Sequence, residues 1–247
     1  DIVIRFATLD LVRGEWRTYT QAIQAPGEYI AGDQTNHTLF EQSAVNLEEN
    51  SNRNPVPYVI PPGIYQEVYT GTLSTIRQNE QALQLSVENL VDGDARAVYK
   101  STSFDFRYYQ KLRMFIHAEK MYEYDNMEDG DLTVFLRFGS DLTDNYYEYE
   151  VPLKFTEWHT SSTDDFAIWP EENNIEIDFE ELVEVKNNRN RSIGKNNVQS
   201  NRVYTETSGK NKIKVLGNPT ISEVRSMMIG IRNPLNVNEV SEDKSAI

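Results

Sequence analysis

Apolar and polar residues alternate with a period of two along much of this chain. In Asp131-Leu132-Thr133-Val134-Phe135-Leu136-Arg137-Phe138, the residues Leu132, Val134, Leu136 and Phe138 share one face. Successive side chains of a strand point to opposite faces, so this segment predicts a strand half buried against a core. Tyr146-Tyr147-Glu148-Tyr149-Glu150-Val151-Pro152-Leu153 follows after the polar turn 139–145, and the pair predicts an antiparallel hairpin. Pro152 has no N–H and belongs at a strand end or on an edge. Strand patterns recur at 83–87, 112–118, 175–179, 213–216 and 227–231, and more weakly at 97–101 and 104–106. Residues 1–7 and 13–19 read as extended. Asp-Gly turns stand at Asp92-Gly93 and Asp129-Gly130.

Helical spacing is scarce. Residues 179–185 predict one or two turns, with Leu182 and Val185 three apart. Residues 38–49 show helical spacing at Leu39, Phe40, Val45 and Leu47 but are short, and 221–224 reads as a single turn. Three stretches read as loops. Residues 50–62 form a Pro-rich connector holding four of the nine prolines, 158–166 is polar, and 187–212 is Asn-rich and basic. Short strands separated by turns predict an all-β fold, an antiparallel two-sheet β-sandwich, jelly-roll-like, with one or two short helices. An open barrel is the alternative. Residues 1–247 are expected to form one domain with its core at about 79–233. Trp16, Leu85, Phe115, Leu136 and Ile229 are expected to be buried.

Composition narrows the chemistry. The apolar content of 38% is low, but the 27 Phe, Trp and Tyr residues offset it, so the chain can bury a core. The absence of cysteine excludes a disulfide scaffold and any Cys-ligated zinc or iron–sulfur site. No run approaches the roughly 18 uninterrupted apolar residues of a membrane-spanning helix. No segment has the pattern of a signal peptide. Asp1 stands first and Ile2-Val3-Ile4 already reads as strand, so a piece of a longer chain is expected, with a processed mature protein as the alternative.

The chain has 24 Lys and Arg against 39 Asp and Glu, a net charge of −15. Phosphate binding needs a cationic surface, so nucleic acid is not an expected partner. The charge is uneven: 119–184 holds 20 acidic and 3 basic residues, and 185–232 holds 2 acidic and 10 basic ones. Within one compact unit, part of this opposite charge is expected to neutralise internally.

Catalytic signatures such as G-x-S-x-G, H-E-x-x-H and a P-loop are not found. His37, His117 and His159 lie far apart, and His117, on an apolar strand, reads as a satisfied core or interface histidine. Glu148 with Glu150, and Glu176 with Asp178, each share a strand face. A glycosidase needs such carboxylates, but the expected reading is the solvated side of an amphipathic strand. Residues 125–131 resemble a calcium loop, yet Met127 and Leu136 occupy positions where an EF-hand needs oxygen donors. A structural calcium at this acidic turn is the one ion considered; no other cofactor is expected. Trp16, Trp158 and Trp169 suggest a sugar-stacking platform, with core packing preferred because Trp169-Pro170 precedes a strand.

A set of phrases occurs in order. Among them are Val12-Arg13-Gly14-Glu15-Trp16-Arg17-Thr18-Tyr19, Pro57-Tyr58-Val59-Ile60-Pro61-Pro62-Gly63-Ile64 and Gly93-Asp94-Ala95-Arg96-Ala97-Val98-Tyr99-Lys100. Leu112-Arg113-Met114-Phe115-Ile116-His117-Ala118-Glu119, Trp169-Pro170-Glu171-Glu172-Asn173 and Gly230-Ile231-Arg232-Asn233-Pro234 follow. Together, over about residues 10–235, they resemble the SprA (Sov) family of gliding-motility and cell-surface proteins. The resemblance implies a very large outer-membrane β-barrel that serves as translocon of the type nine secretion system. It assigns no catalytic residue to this stretch.

Charged residues on the outer strand faces do not suit lipid, so this stretch is expected to be an extramembrane module. It is expected to be non-catalytic and to frame the pore or dock partners, namely other translocon subunits and secreted cargo. The cell-surface side is preferred over the periplasmic side. Surface ion pairs are individually weak. Docking should therefore also need an apolar anchor, and Tyr58, Val59 and Ile60 in the connector are the candidates. A carbohydrate-binding sandwich is the alternative function.

Overall fold

The computed structural model describes residues 16–20, 23, 37–66, 68–70, 75–195, 198–235 and 244–247. In chain order, β1 (Arg17–Thr18) precedes β2 (Leu39–Asn46), which runs into the one-turn helix α1 (Leu47–Asn50). A small ribbon, β3 (Val68–Thr70) and β4 (Thr75–Arg77), leads to β5 (Gln81–Leu90), β6 (Ala95–Phe104) and β7 (Lys111–Met114). The hairpin β8 (Thr133–Gly139) and β9 (Tyr146–Pro152) is followed by α2 (Asp165–Ile168), β10 (Ile175–Asp178) and α3 (Phe179–Ser192). The last strands are β11 (Tyr204–Ser208), β12 (Asn211–Leu216), β13 (Val224–Arg232) and β14 (Lys244–Ala246). The chain is mainly antiparallel β-structure, and among the described residues its sheets do not close into a barrel.

Seven strands form the large sheet, in the order β1-β6-β13-β8-β9-β12-β11. Its register follows from the alternation. Leu136 stands opposite both Ile229 and Tyr149, and Val134 opposite both Ile231 and Val151. One face therefore presents a continuous apolar surface. Packed on it are Leu85, Val87 and Leu90 of β5, Leu112 and Met114 of β7, Ile175 and Ile177 of β10, and Leu182 and Val185 of α3. The opposite face carries a smaller cluster of Ala95, Ala97, Phe135, Leu142 and Met228, with Ile23 and Tyr19 against it.

The second layer is held together by β14. It pairs with β5 on one side, while on the other Ala246 bridges Lys120 and Glu119 and Ile247 exchange backbone hydrogen bonds of 2.9 and 3.0 Å. The Asp92-Gly93 turn joins β5 to β6, which lie in different sheets, and so forms a corner between layers and not a hairpin. Asn233 fastens that corner: its Nδ2 donates to the Leu90 carbonyl at 2.9 Å and its backbone N–H to the Asp94 carbonyl at 3.0 Å.

Several expectations need correction. Residues 38–49 are strand over Leu39–Asn46, because a full antiparallel ladder with β5 outweighs four apolar residues at helical spacing. Only Leu47–Asn50 is helical, and Asn46 Oδ1 caps it by accepting from the Glu49 N–H at 2.9 Å. The helix expected at 179–185 continues to Ser192. Asp178 caps its start, acidic residues fill its first turn, and Arg189 and Arg191 fill its last. The basic loop 187–212 is thus partly helix and partly the hairpin β11–β12.

The strand expected at 112–118 keeps ladder pairing only over Lys111–Met114, against β10. Of the five residues expected inside, Leu136 is buried, while Trp16, Leu85, Phe115 and Ile229 are half-buried. The extended segment expected at 1–7 lies outside the described residues.

Candidate functional site

Leu85, Phe115 and Ile229 are half-buried for one reason: all three line a cleft between the layers, with a volume of about 400 Å³. Its floor comes from Val134, Ile229 and Ile231 of the large sheet. One wall is β5 from Ala82 to Leu85. The other is the chain after β7, from Phe115 to Ala118. The rim comes from the Pro-rich connector, through Val56, Pro57, Tyr58 and Pro61, and from Ile168 and Trp169. A mostly apolar recess with a few convergent polar groups has the general character of a binding site.

The connector is tied down by three kinds of contact. Trp169 Nε1 donates to the Val59 carbonyl at 2.9 Å, and Tyr58 meets the Trp169 ring edge-on at 6.0 Å. Arg53 pairs with Glu119, Nη1 lying 3.1 Å from Oε2, and also donates to the Val56 carbonyl at 3.0 Å. Tyr58 is buried, and Val59 and Ile60 are half-buried. Of the three docking candidates, then, Tyr58 is turned inward and lines the cleft and is not an exposed knob. Burial, and then the charge of Glu80, push its hydroxyl up to about 12.

Glu119 is the polar centre of this region. Burial alone would raise its carboxyl, but hydrogen bonds from His117 and Arg53 and the Arg53 charge hold it below the ordinary value. His117 Nδ1 lies 2.7 Å from the Ile168 carbonyl, which can only accept, so that nitrogen carries the hydrogen. Its Nε2 lies 3.4 Å from Glu119 Oε2. Both ring nitrogens of the histidine thus face an acceptor, although His117 lies in the irregular chain beyond β7 and not on the apolar strand expected there. The Arg53–Glu119 pair has no local signature, since 66 residues separate its members.

The other sequence candidates are scattered. Glu148 and Glu150 are not solvated: both are buried on the far face of the large sheet. Arg137 Nη2 lies 2.6 Å from Glu148, Lys214 Nζ 3.0 Å and Arg232 Nη1 2.8 Å, and Lys214 and Arg232 also pair with Glu150. Burial raises both carboxyls, and the surrounding cations more than reverse this, driving Glu148 well below its ordinary value. Lys214 and Arg232 belong to the basic segment and the two glutamates to the acidic one, so part of the opposite charge is neutralised internally.

Glu176 is exposed and pairs with Lys111 and Arg113, while Asp178 caps α3. At the acidic turn, Asp125, Asp129 and Asp131 accept backbone N–H groups of Met127, Phe155 and Glu128. Among the described residues no group of three or more His, Asp or Glu converges to hold a metal. Trp169 is buried, so the three tryptophans do not form one stacking platform.

The chain matches the SprA_N family, described as motility related/secretion protein, over residues 1–246. No curated protein matches it.

Proposed function

The chain belongs to the SprA_N family of motility related/secretion proteins, and from that premise we propose that it is a non-catalytic, extramembrane docking module of a giant outer-membrane β-barrel, the translocon of the type nine secretion system. In this reading the module sits beside the pore on the cell-surface side. Its partners are neighbouring translocon subunits and secreted cargo. The observation that carries the docking role is the open apolar cleft between the layers. Leu85 and Ile229 stay half-buried there although the rest of the main core is largely sealed, and Phe115 stays half-buried against the connector cluster of Val56, Tyr58, Ile168 and Trp169.

Other features support the reading. Among the described residues no helix is long and apolar enough to cross a membrane. The net charge of −15 disfavours nucleic acid and anionic surfaces and favours partners presenting Lys or Arg. The buried carboxylates are held by cations of the same chain, which gives them a structural task.

The test is a pull-down of translocon components and cargo at low and high salt, with wild type and with Gln84→Trp, which adds bulk at the cleft wall. The reading expects capture by wild type and loss in the variant. Equal capture by both proteins would remove the cleft from the docking role.

A further inference from the structure

Among the described residues the large sheet ends at β11. Ser208 and Asn211 flank the turn Gly209-Lys210 and are the closing pair of the β11–β12 hairpin, so they exchange backbone hydrogen bonds. Alternation then points the N–H and C=O groups of Tyr204, Glu206 and Ser208 at β12, and those of Thr205 and Thr207 away from it. Among the described residues nothing bonds the backbone of Thr205 or Thr207 from the outer side. The edge has none of the usual guards against a further strand. Its register is unbroken, and it carries no Pro, no Lys and no bulge.

The side chains of β11 divide with the same period. Glu206 stands opposite the buried Ile213, on the face covered by α3, and the exposed Thr205 and Thr207 stand on the other. Tyr204 Oη donates to Glu206 Oε1 at 2.7 Å and Asn188 Nδ2 to Oε2 at 3.3 Å, which fixes the carboxylate in place. There it shares a recess of about 240 Å³ with Glu181 and Glu184 of α3. Among the described residues none of the three is ion-paired, whereas Glu148, Glu150 and Glu176 on other strands all are. The cations of α3 nearest in sequence are turned elsewhere: Lys186 donates to the Pro219 carbonyl at 2.7 Å and Arg189 to the Gly217 carbonyl at 2.6 Å. Like charges gathered beside a free ladder cost the fold free energy unless a cation from outside joins them.

We propose that the outer edge of β11 is a strand-addition site for a partner polypeptide, taken by an extended segment that runs antiparallel to β11 and sets a Lys or Arg opposite Glu206. In that register the partner residues opposite Thr205 and Thr207 make the ladder hydrogen bonds. The residue opposite Glu206 belongs to a non-hydrogen-bonded pair, where cross-strand side chains come closest, and its cation enters the recess. A second copy of the chain is a poor occupant, because β11 paired antiparallel with itself about Glu206 sets glutamate against glutamate. The site goes beyond the docking cleft, since β9 and β12 separate β11 from the floor strand β8.

The experiment uses the 247-residue chain and the capped peptide Thr-Val-Thr-Lys-Thr-Val-Thr. One control peptide has Glu in place of Lys. Another is N-methylated at the Thr on either side of the Lys, which removes the ladder donors. Binding is followed by calorimetry at low and high salt, and amide exchange is read at Thr205 and Thr207. The Lys peptide is expected to bind and to slow exchange at both amides. The methylated peptide should bind about tenfold more weakly or worse, because backbone hydrogen bonds are lost. The Glu peptide should bind about tenfold more weakly at low salt, and both high salt and Glu206→Gln should narrow that gap. Gln84→Trp should leave all three peptides unaffected, which separates this site from the cleft.

Failure of the Lys peptide to bind, or equal binding of its methylated form, would overturn strand addition at this edge. Equal binding of the Lys and Glu peptides would overturn the basic partner. Protection of the same amides without peptide, growing with protein concentration, would assign the edge to a second copy and likewise overturn the proposal.

Discussion

Arg53 of the Pro-rich connector pairs with Glu119, placing Nη1 3.1 Å from Oε2 of a carboxylate that is fully removed from solvent. Replacing Arg53 with Ala leaves that buried charge with His117 alone. The expected loss is roughly 3 kcal/mol, the low end for breaking a buried pair, because Arg53 keeps some access to water. The pH dependence has a definite sign. Glu119 is held below its ordinary value in the folded chain, so its contribution is present above about pH 4.3 and fades as pH falls through the folded value. Urea unfolding between pH 3 and pH 7 checks both points. The wild type should lose stability toward acid more steeply than Arg53→Ala, and parallel curves would contradict the pairing.

The sheet was legible because alternation is a local signal: 132–138, 146–153 and 227–231 each carry their own face. What was not legible depends on distant residues. Glu148 and Glu150 alternate with apolar residues like any solvated pair, and only the neighbouring strands, with Arg137, Lys214 and Arg232, show that the polar face is buried. Phe115 looked like core because it lies in an apolar run. Its half-burial follows from the end of the β10 ladder at Met114, which no local pattern marks. The cleft itself is a relation between β5, the residues after β7 and the connector, and it has no sequence motif.

Glu148→Gln keeps the shape of the side chain and removes its charge from among three cations. The expected destabilisation is about 3–5 kcal/mol, and it should change little between low and high salt because the cluster is shielded from solvent. A loss under about 1 kcal/mol, or one that salt abolishes, would mean that the pair behaves as a surface ion pair.

Leu136 and Phe115 should respond differently to truncation. Leu136 is fully buried, so Leu136→Ala should cost about 3–5 kcal/mol. Phe115 borders the cleft and leaves no sealed cavity behind, so Phe115→Ala should cost about 1–2 kcal/mol. Chemical denaturation of the two variants side by side checks the order. A larger loss for Phe115 would show that the cleft is closed in solution.

Two glycines form a matched pair. Gly209 and Gly217 have φ of +61° and +64°, so alanine at either is strained by about 1–2 kcal/mol. A Cβ on Gly209 meets nothing within 4 Å, whereas one on Gly217 falls 1.8 Å from the Asp144 carbonyl oxygen. Gly217→Ala should therefore lower the melting temperature clearly more than Gly209→Ala. Equal shifts would contradict the close approach of the β12 end to the β8–β9 turn.

The most direct measurement of the docking role is photocrosslinking in cells that produce this protein. A benzophenone amino acid is placed at Gln84, in the cleft wall, and in a second strain at Arg225, an exposed position on β13. If the cleft holds a partner, Gln84 gives a discrete adduct with another polypeptide, Arg225 gives none, and the adduct disappears when Leu85 is also changed to Asp in a protein that still folds. An adduct pattern shared by both positions, or none at Gln84, would contradict the account.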